Sequence, residues 1–241
     1  MFLTFKKWTA LYILCLVLLF ACFAAILWQG NAVRASRNLT LEEKGRGVLV
    51  IDPGHGGEDG GAVAADGTTE AEINLAISLR MEELAALLGV EAEMTRREDV
   101  SLGDAELSTI RQRKTSDLKN RVAIANSIPG GVLISIHQNT LPGIEGVHGA
   151  QVFYNSAAGS EELALSIQEA LNQQINDRPK EAKRIDKSIY VLENAEGAAV
   201  LVECGFLSNP QETAQLRSAD YQLRLALIIL SATLCQLSPA A

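Results

Sequence analysis

Basic residues are in short supply in this chain: 21 Lys and Arg stand against 29 Asp and Glu, for a formal charge of −8. A nucleic-acid binder needs a basic face. No Lys/Arg cluster here is large enough to make one, so the composition argues against a nucleic-acid partner. Cysteine is scarce as well. Of the four, Cys15 and Cys22 lie in an apolar N-terminal run, which leaves no disulfide framework. Cys204 and Cys235 read as small buried hydrophobes, with a bridge between them as the alternative. No repeat and no low-complexity tract interrupts the remainder, and 241 residues at 48% hydrophobic suffice for one globular domain with a real core. Histidine is limited to His55, His137 and His148.

What is present divides the chain. "TALYILCLVLLFACFAAILW", residues 9–28, carries no charge and follows Lys6 and Lys7. About 20 helical residues at about 1.5 Å each span a bilayer core of about 30 Å. A cleavable signal has a shorter apolar core, so we read 9–28 as an uncleaved transmembrane anchor, with a cleaved signal as the alternative. The lysines place residues 1–8 in the cytoplasm and the rest of the chain outside, membrane-anchored or, if cleaved, secreted. Residues 29–46 read as a polar linker. The folded domain is expected over 47–241.

Within it, 47–52 reads as a buried strand, 70–89 as a helix stopped by Gly89, and 90–96 as a strand. Residues 97–115 form a polar segment too long for an ordinary connection: a groove wall or docking lid if ordered, an insertion if not. A helix capped by Ser116 is expected over 116–127. Strands are expected at 131–137, 150–155, 188–194 and 198–206, with a helix over 160–175 and two closing helices, the first opened by Pro210. This alternation predicts an α/β fold, a three-layer α/β/α domain around a mainly parallel sheet.

"IDPGHGGEDGG", residues 51–61, follows the first strand. It is a poor phosphate loop, because no helical pattern starts directly after it and no G-K-[ST] is present. In open α/β sheets, sites gather beyond the carboxyl ends of strands. His55 follows one such end, His137 ends another strand, and Glu203 ends a third. Two imidazoles and one carboxylate make a common catalytic zinc set that leaves a position for water, and a second carboxylate nearby can move the proton. The reading is therefore one Zn2+ held by His55, Glu70 and His137, with Glu203 as base. Spacing alone does not separate Glu70 from Glu72, since either is also a favourable first-turn acid. A bound metal would offset the acids Glu58 and Asp59. His148 reads as a surface loop residue. Asn139 and Arg96 are weaker candidates for orienting ligands or binding a substrate carboxylate.

"VIDPGHGGEDGGAV", "EAEINLAISLR", "TRREDV", "LKNRVAIAN", "LISIHQN", "GAQVFY" and "VLVECGFLSNPQE" stand in this order between residues 47 and about 236. Together they resemble the zinc-dependent N-acetylmuramoyl-L-alanine amidases of the third amidase family. That resemblance implies zinc at His55, Glu70 and His137 and a catalytic Glu203, and it selects Glu70 over Glu72 through "E-x-x-x-N-L". Its implied substrate is the amide between N-acetylmuramic acid and L-alanine in peptidoglycan. The anchor, the polar segment and "KEAKRIDKSIYVLEN" are most similar to the germination-specific branch of spore formers. That branch implies muramic-δ-lactam formation in spore cortex and an activating lipoprotein among the partners. Gln138 and Cys204 depart from the family pattern without removing a ligand or the acid. The competing readings are a catalytically silent wall-binding protein and a zinc carboxypeptidase on the same fold.

Overall fold

The structure is a computed structural model that describes residues 47–185 and 189–237. The expected cytoplasmic stretch, anchor and linker of residues 1–46 lie outside the described residues. Among the described residues, no helix is long and apolar enough to cross a membrane.

Six strands form one sheet: β1 (Leu49–Pro53), β2 (Ala92–Met94), β3 (Val132–Asn139), β4 (Gln151–Tyr154), β5 (Lys183–Arg184) and β6 (Ala199–Phe206), in the order β2-β1-β3-β6-β4-β5. Every neighbouring pair is parallel except β4 with β6. Among the described residues six helices accompany them: α1 (Glu70–Leu87), α2 (Ile110–Asn126), α3 (Ser160–Gln174), α4 (Tyr190–Asn194), α5 (Pro210–Leu216) and α6 (Ala219–Leu237).

Successive side chains on a strand point to opposite faces, and both faces here are apolar, as a buried parallel sheet requires. Leu49, Ile51, Ile134, Ile136, Val200 and Val202 pack on one face with residues of α1, α3 and α6. Val50, Leu133 and Leu201 pack on the other with Ala125 of α2 and with Val191 and Leu192 of α4. Helices on both faces of a mainly parallel sheet match the expected α/β architecture.

Some boundaries differ from expectation. Residues 188–194 were expected as a strand, but Tyr190–Asn194 is one helical turn that buries Val191 and Leu192. A short apolar run does not distinguish a strand from a buried helical turn. The second helix does not begin at Ser116. It begins at Ile110, where Thr109 and Gln112 form a reciprocal capping box. The strand expected over 90–96 is confined to Ala92–Met94, and β5 was not anticipated. Gly89 does end α1, in the left-handed region at φ 67. Cys204 is buried, Cys235 is exposed, and both are free thiols, so no bridge joins them.

Candidate metal centre

The carboxyl ends of β1, β3 and β6 lie side by side, and the sequence candidates gather there. Strand pairing sets Asp52 beside Ser135 and His137 beside Glu203. Glu70 arrives as the first residue of α1, whose N-cap Thr69 accepts a hydrogen bond from the Glu72 amide. Glu72 therefore sits at the capped start of the helix, and Glu70 is the acid that faces the histidines. Nε2 of His55 is 3.3 Å from Glu70 Oε2, and Nδ1 of His137 is 2.8 Å from Glu70 Oε1. One donor atom from each of His55, Glu70 and His137 falls within 4.8 Å of the others.

The glycine-rich loop shapes this cluster. His55 is the only non-glycine among the described residues with a positive φ, at 62°. Such a backbone persists only where the surroundings hold it. Arg121 supplies that hold, donating to the carbonyls of Pro53 (2.7 Å) and His55 (2.6 Å). Arg96 donates to Pro53 and Gly54 from the other side. A Cβ at Gly54 would collide with the His137 ring. At Gly61, with φ +68, a Cβ would lie 2.6 Å from Glu70 Oε2 and 2.8 Å from His55 Cδ2. Both glycines keep open the space into which the side chains of His55, Glu70 and His137 point.

Charge in the loop is balanced by protein groups. Asp59 Oδ2 lies 3.0 Å from His55 Nδ1 and 2.9 Å from Lys114 Nζ, and Glu58 pairs with Arg113. The two acids thus need no metal to be tolerated, contrary to the expectation from sequence. Arg113 and Lys114 belong to the polar segment 97–115, which is ordered against the loop. Asp99 accepts from the Gly57 amide at 2.9 Å.

Burial alone would lower the pKa of His55, but hydrogen bonds and charge from Asp59 and Glu70 outweigh it and raise it to about 9. For Glu70, burial would raise the pKa, yet His137 and His55 hold it well below the carboxylate range. Glu203 differs. Its Oε2 is buried without a hydrogen-bond partner, and burial lifts its pKa to about 7. A buried, partnerless carboxylate oxygen beside a His–Glu–His donor set fits a mononuclear zinc site, where imidazole and carboxylate donors bind and the metal's charge stabilises a nearby anion.

The remaining candidates lie elsewhere. Arg96 is 3% exposed and spent on carbonyls of Pro53, Gly54, Ala71 and Glu98, so it is a structural clamp that no substrate carboxylate reaches. The Asn139 side chain accepts from the Thr140 amide. His148 is half-buried near the surface and pairs with Asp177. Sequence reading passed over Asn74 and the buried pair Asp52–Arg121, and it treated Asp59 only as charge for a metal to offset, not as the partner of His55. Asp59 stands four residues after His55 in the same loop, and that spacing was the available signal. A groove of about 290 Å³ opens beyond the ends of β3 and β6, lined by Val63, Thr140, Pro142, Leu207, Ser208 and Pro210 among others.

Comparison with known proteins agrees with this picture. Residues 49–233 match the N-acetylmuramoyl-L-alanine amidase family. A germination-specific N-acetylmuramoyl-L-alanine amidase of Bacillus subtilis (strain 168) is 34% identical over 179 residues, covering 74% of this chain and 75% of that protein. Among solved structures, the CwlD amidase from Clostridioides difficile, in complex with the GerS lipoprotein, aligns with a TM-score of 0.74 and 36% identity, over 79% of this chain and 98% of that one. The amidase AmiC2 of Nostoc punctiforme aligns at 0.66 with 29% identity, over 80% of this chain and 97% of that one. With the family matched across nearly the whole described domain and the donor cluster in place, this chain belongs to the N-acetylmuramoyl-L-alanine amidase family.

Proposed function

We propose that this amidase is zinc-dependent, with His55, Glu70 and His137 as ligands and Glu203 as the proton-transfer group. The observation that carries the reading is the His–Glu–His cluster beside the buried, partnerless Glu203 Oε2. A zinc ion bound there supplies Lewis-acid polarisation of the lactyl carbonyl and makes water a nucleophile near neutral pH. Glu203 accepts the proton of the attacking water at its free oxygen. It returns that proton to the nitrogen of L-alanine as the amide C–N bond breaks, leaving a lactyl carboxylic acid and a peptide with a free amine. The buried wall around Glu203 limits competing water, and the groove beyond β3 and β6 gives the peptide side of the substrate a place to lie.

The relatives support a biological setting. One is named germination-specific, and another was solved bound to a lipoprotein. On that basis we assign the reaction to spore cortex, where removing the peptide precedes muramic-δ-lactam formation, with a lipoprotein as activating partner. Residues 9–28 would anchor the catalytic domain at the extracytoplasmic membrane face.

The test is incubation of the full chain with purified peptidoglycan, with products identified by mass spectrometry. Peptides beginning with L-alanine, lost on chelation and restored by zinc, are expected. Release of D-alanine instead would mark a carboxypeptidase. Zinc binding without any product, in the presence of lipoprotein-containing sporulating-cell membranes, would mark a silent wall-binding protein.

A further inference from the structure

Behind the donor cluster, on the face of the sheet that packs against α1, lies a short chain of buried amides. Gln138 is 3% exposed and Asn74 fully buried. Gln138 Nε2 donates to Asn74 Oδ1 at 3.1 Å. Asn74 Nδ2 in turn donates to the Gly54 carbonyl at 3.1 Å and reaches Glu70 Oε1 at 3.4 Å. Gln138 Oε1 has no partner and is buried, on a strand next to Cys204, whose side chain is wholly enclosed. A buried acceptor left without a bond costs stability, so an apolar side chain would suit the core at 138 better. The Gln138 amide also reaches the Cys204 thiol, but only its bond to Asn74 leads toward the donor cluster.

That bond reinforces the way Asn74 faces, which the two acceptors in front of its Nδ2 also favour. A terminal amide has one donor end and one acceptor end, nearly equal in shape. Turned over, Asn74 would set its oxygen against Glu70 Oε1 and the Gly54 carbonyl, acceptor against acceptor. A donor aimed at Oδ1 from behind adds to the cost of this alternative. We propose that Gln138 is a positioning residue which, acting through Asn74, orients the Glu70 carboxylate and the Gly54 backbone beneath the His137 ring. The inference rests on the reading of Glu70 as a metal ligand. Groups that orient a ligand from behind typically change metal affinity about 10- to 100-fold when removed.

The experiment measures the zinc dissociation constant of the full chain by competition with a chromophoric chelator, and the Tm of the metal-free protein. The variants are Gln138→Met, Asn74→Ala, the double variant and Glu70→Ala. Gln138→Met keeps the volume and removes both the donor and the unpartnered oxygen. It is expected to bind zinc about 10-fold more weakly while its metal-free Tm stays level or rises. Because Gln138 acts through Asn74, the double variant should bind zinc no more weakly than Asn74→Ala alone. Gln138→Leu repeats the comparison with a smaller side chain should methionine disturb the fold. Wild-type zinc affinity in Gln138→Met, additive losses in the double variant, or a metal-free Tm that falls in step with affinity would each overturn the proposal. If Glu70→Ala binds zinc as well as wild type, the ligand assignment itself fails. If Glu70→Ala loses zinc and Gln138→Met does not, only the positioning role fails.

Discussion

Glu203 and His55 sit about the same cluster with opposite electrostatic needs. Glu203 has a buried oxygen with nothing to bond, whereas His55 is gripped by two acids. Replacing Glu203 with Gln should leave zinc affinity within a few-fold of wild type while kcat falls by about 10²–10⁴, the usual contribution of general acid–base catalysis. Metal analysis of the dialysed variant beside its turnover checks this. His55 must be neutral to ligate, yet with a pKa of about 9 it is protonated in the metal-free protein at pH 7. Zinc binding should therefore release a proton, and affinity should drop about tenfold per pH unit on acidification below that value. Calorimetry at pH 7 in two buffers of different ionisation heat measures the proton directly. No buffer dependence would contradict the assignment. In the metal-free state the same ion pairs stabilise the fold fully below about pH 6.5, the unfolded value, and are lost as pH rises through about 9.

At the scale of elements, the polar segment before α2 acts as a brace. Its capping box starts the helix at Ile110, which brings Arg113 to Glu58 and Lys114 to Asp59. Thr109→Ala removes the cap and should destabilise the protein by about 1 kcal/mol in denaturant unfolding, the usual value for a lost N-cap. Since the frayed turn carries Arg113 and Lys114, zinc affinity should weaken in the same variant. An unchanged affinity would show that the His55 loop holds its shape without the brace. Sequence reading placed the cap at Ser116 because a serine preceding an apolar helical pattern is the ordinary signal. The exposed first turns of α2 carry no apolar periodicity, so the pattern alone could not extend the helix back to Thr109.

For the whole molecule, the pair Asp52–Arg121 ties two strands, the residue that follows β2 and a helix together. Asp52 accepts from Arg121, Thr95 and Ser135, each at 2.7 Å. Burial would raise the pKa of Asp52, but Arg121 and the two hydroxyls hold it below the usual value. Its stabilising contribution is complete above the unfolded pKa of about 3.9 and is lost as pH falls through the folded value. Tm should therefore decline steeply below about pH 4, and Asp52→Asn should flatten that decline while lowering Tm at pH 7. Zinc should act on the fold as a ligand does: at 100 times its dissociation constant it adds about 2.7 kcal/mol, visible as a Tm increase abolished by chelator.

Strand and helix alternation, the buried strands, and the grouping of His55, His137 and Glu203 at strand ends were all legible in the chain, because a parallel sheet demands apolar runs and places loops at one edge. The resemblance to amidases singled out Glu70, and the helix start does place that residue against both histidines. Other features needed the third dimension. Arg96 resembles a substrate-binding arginine until burial shows it clamping carbonyls. Asp59 and Lys114 are distant in sequence but adjacent in space. Asn74 Oδ1 accepts from a donor 64 positions away. Local sequence determines which way a backbone runs and which faces are apolar; the partner of a buried polar atom is decided only when packing excludes water and leaves that atom a single neighbour to bond.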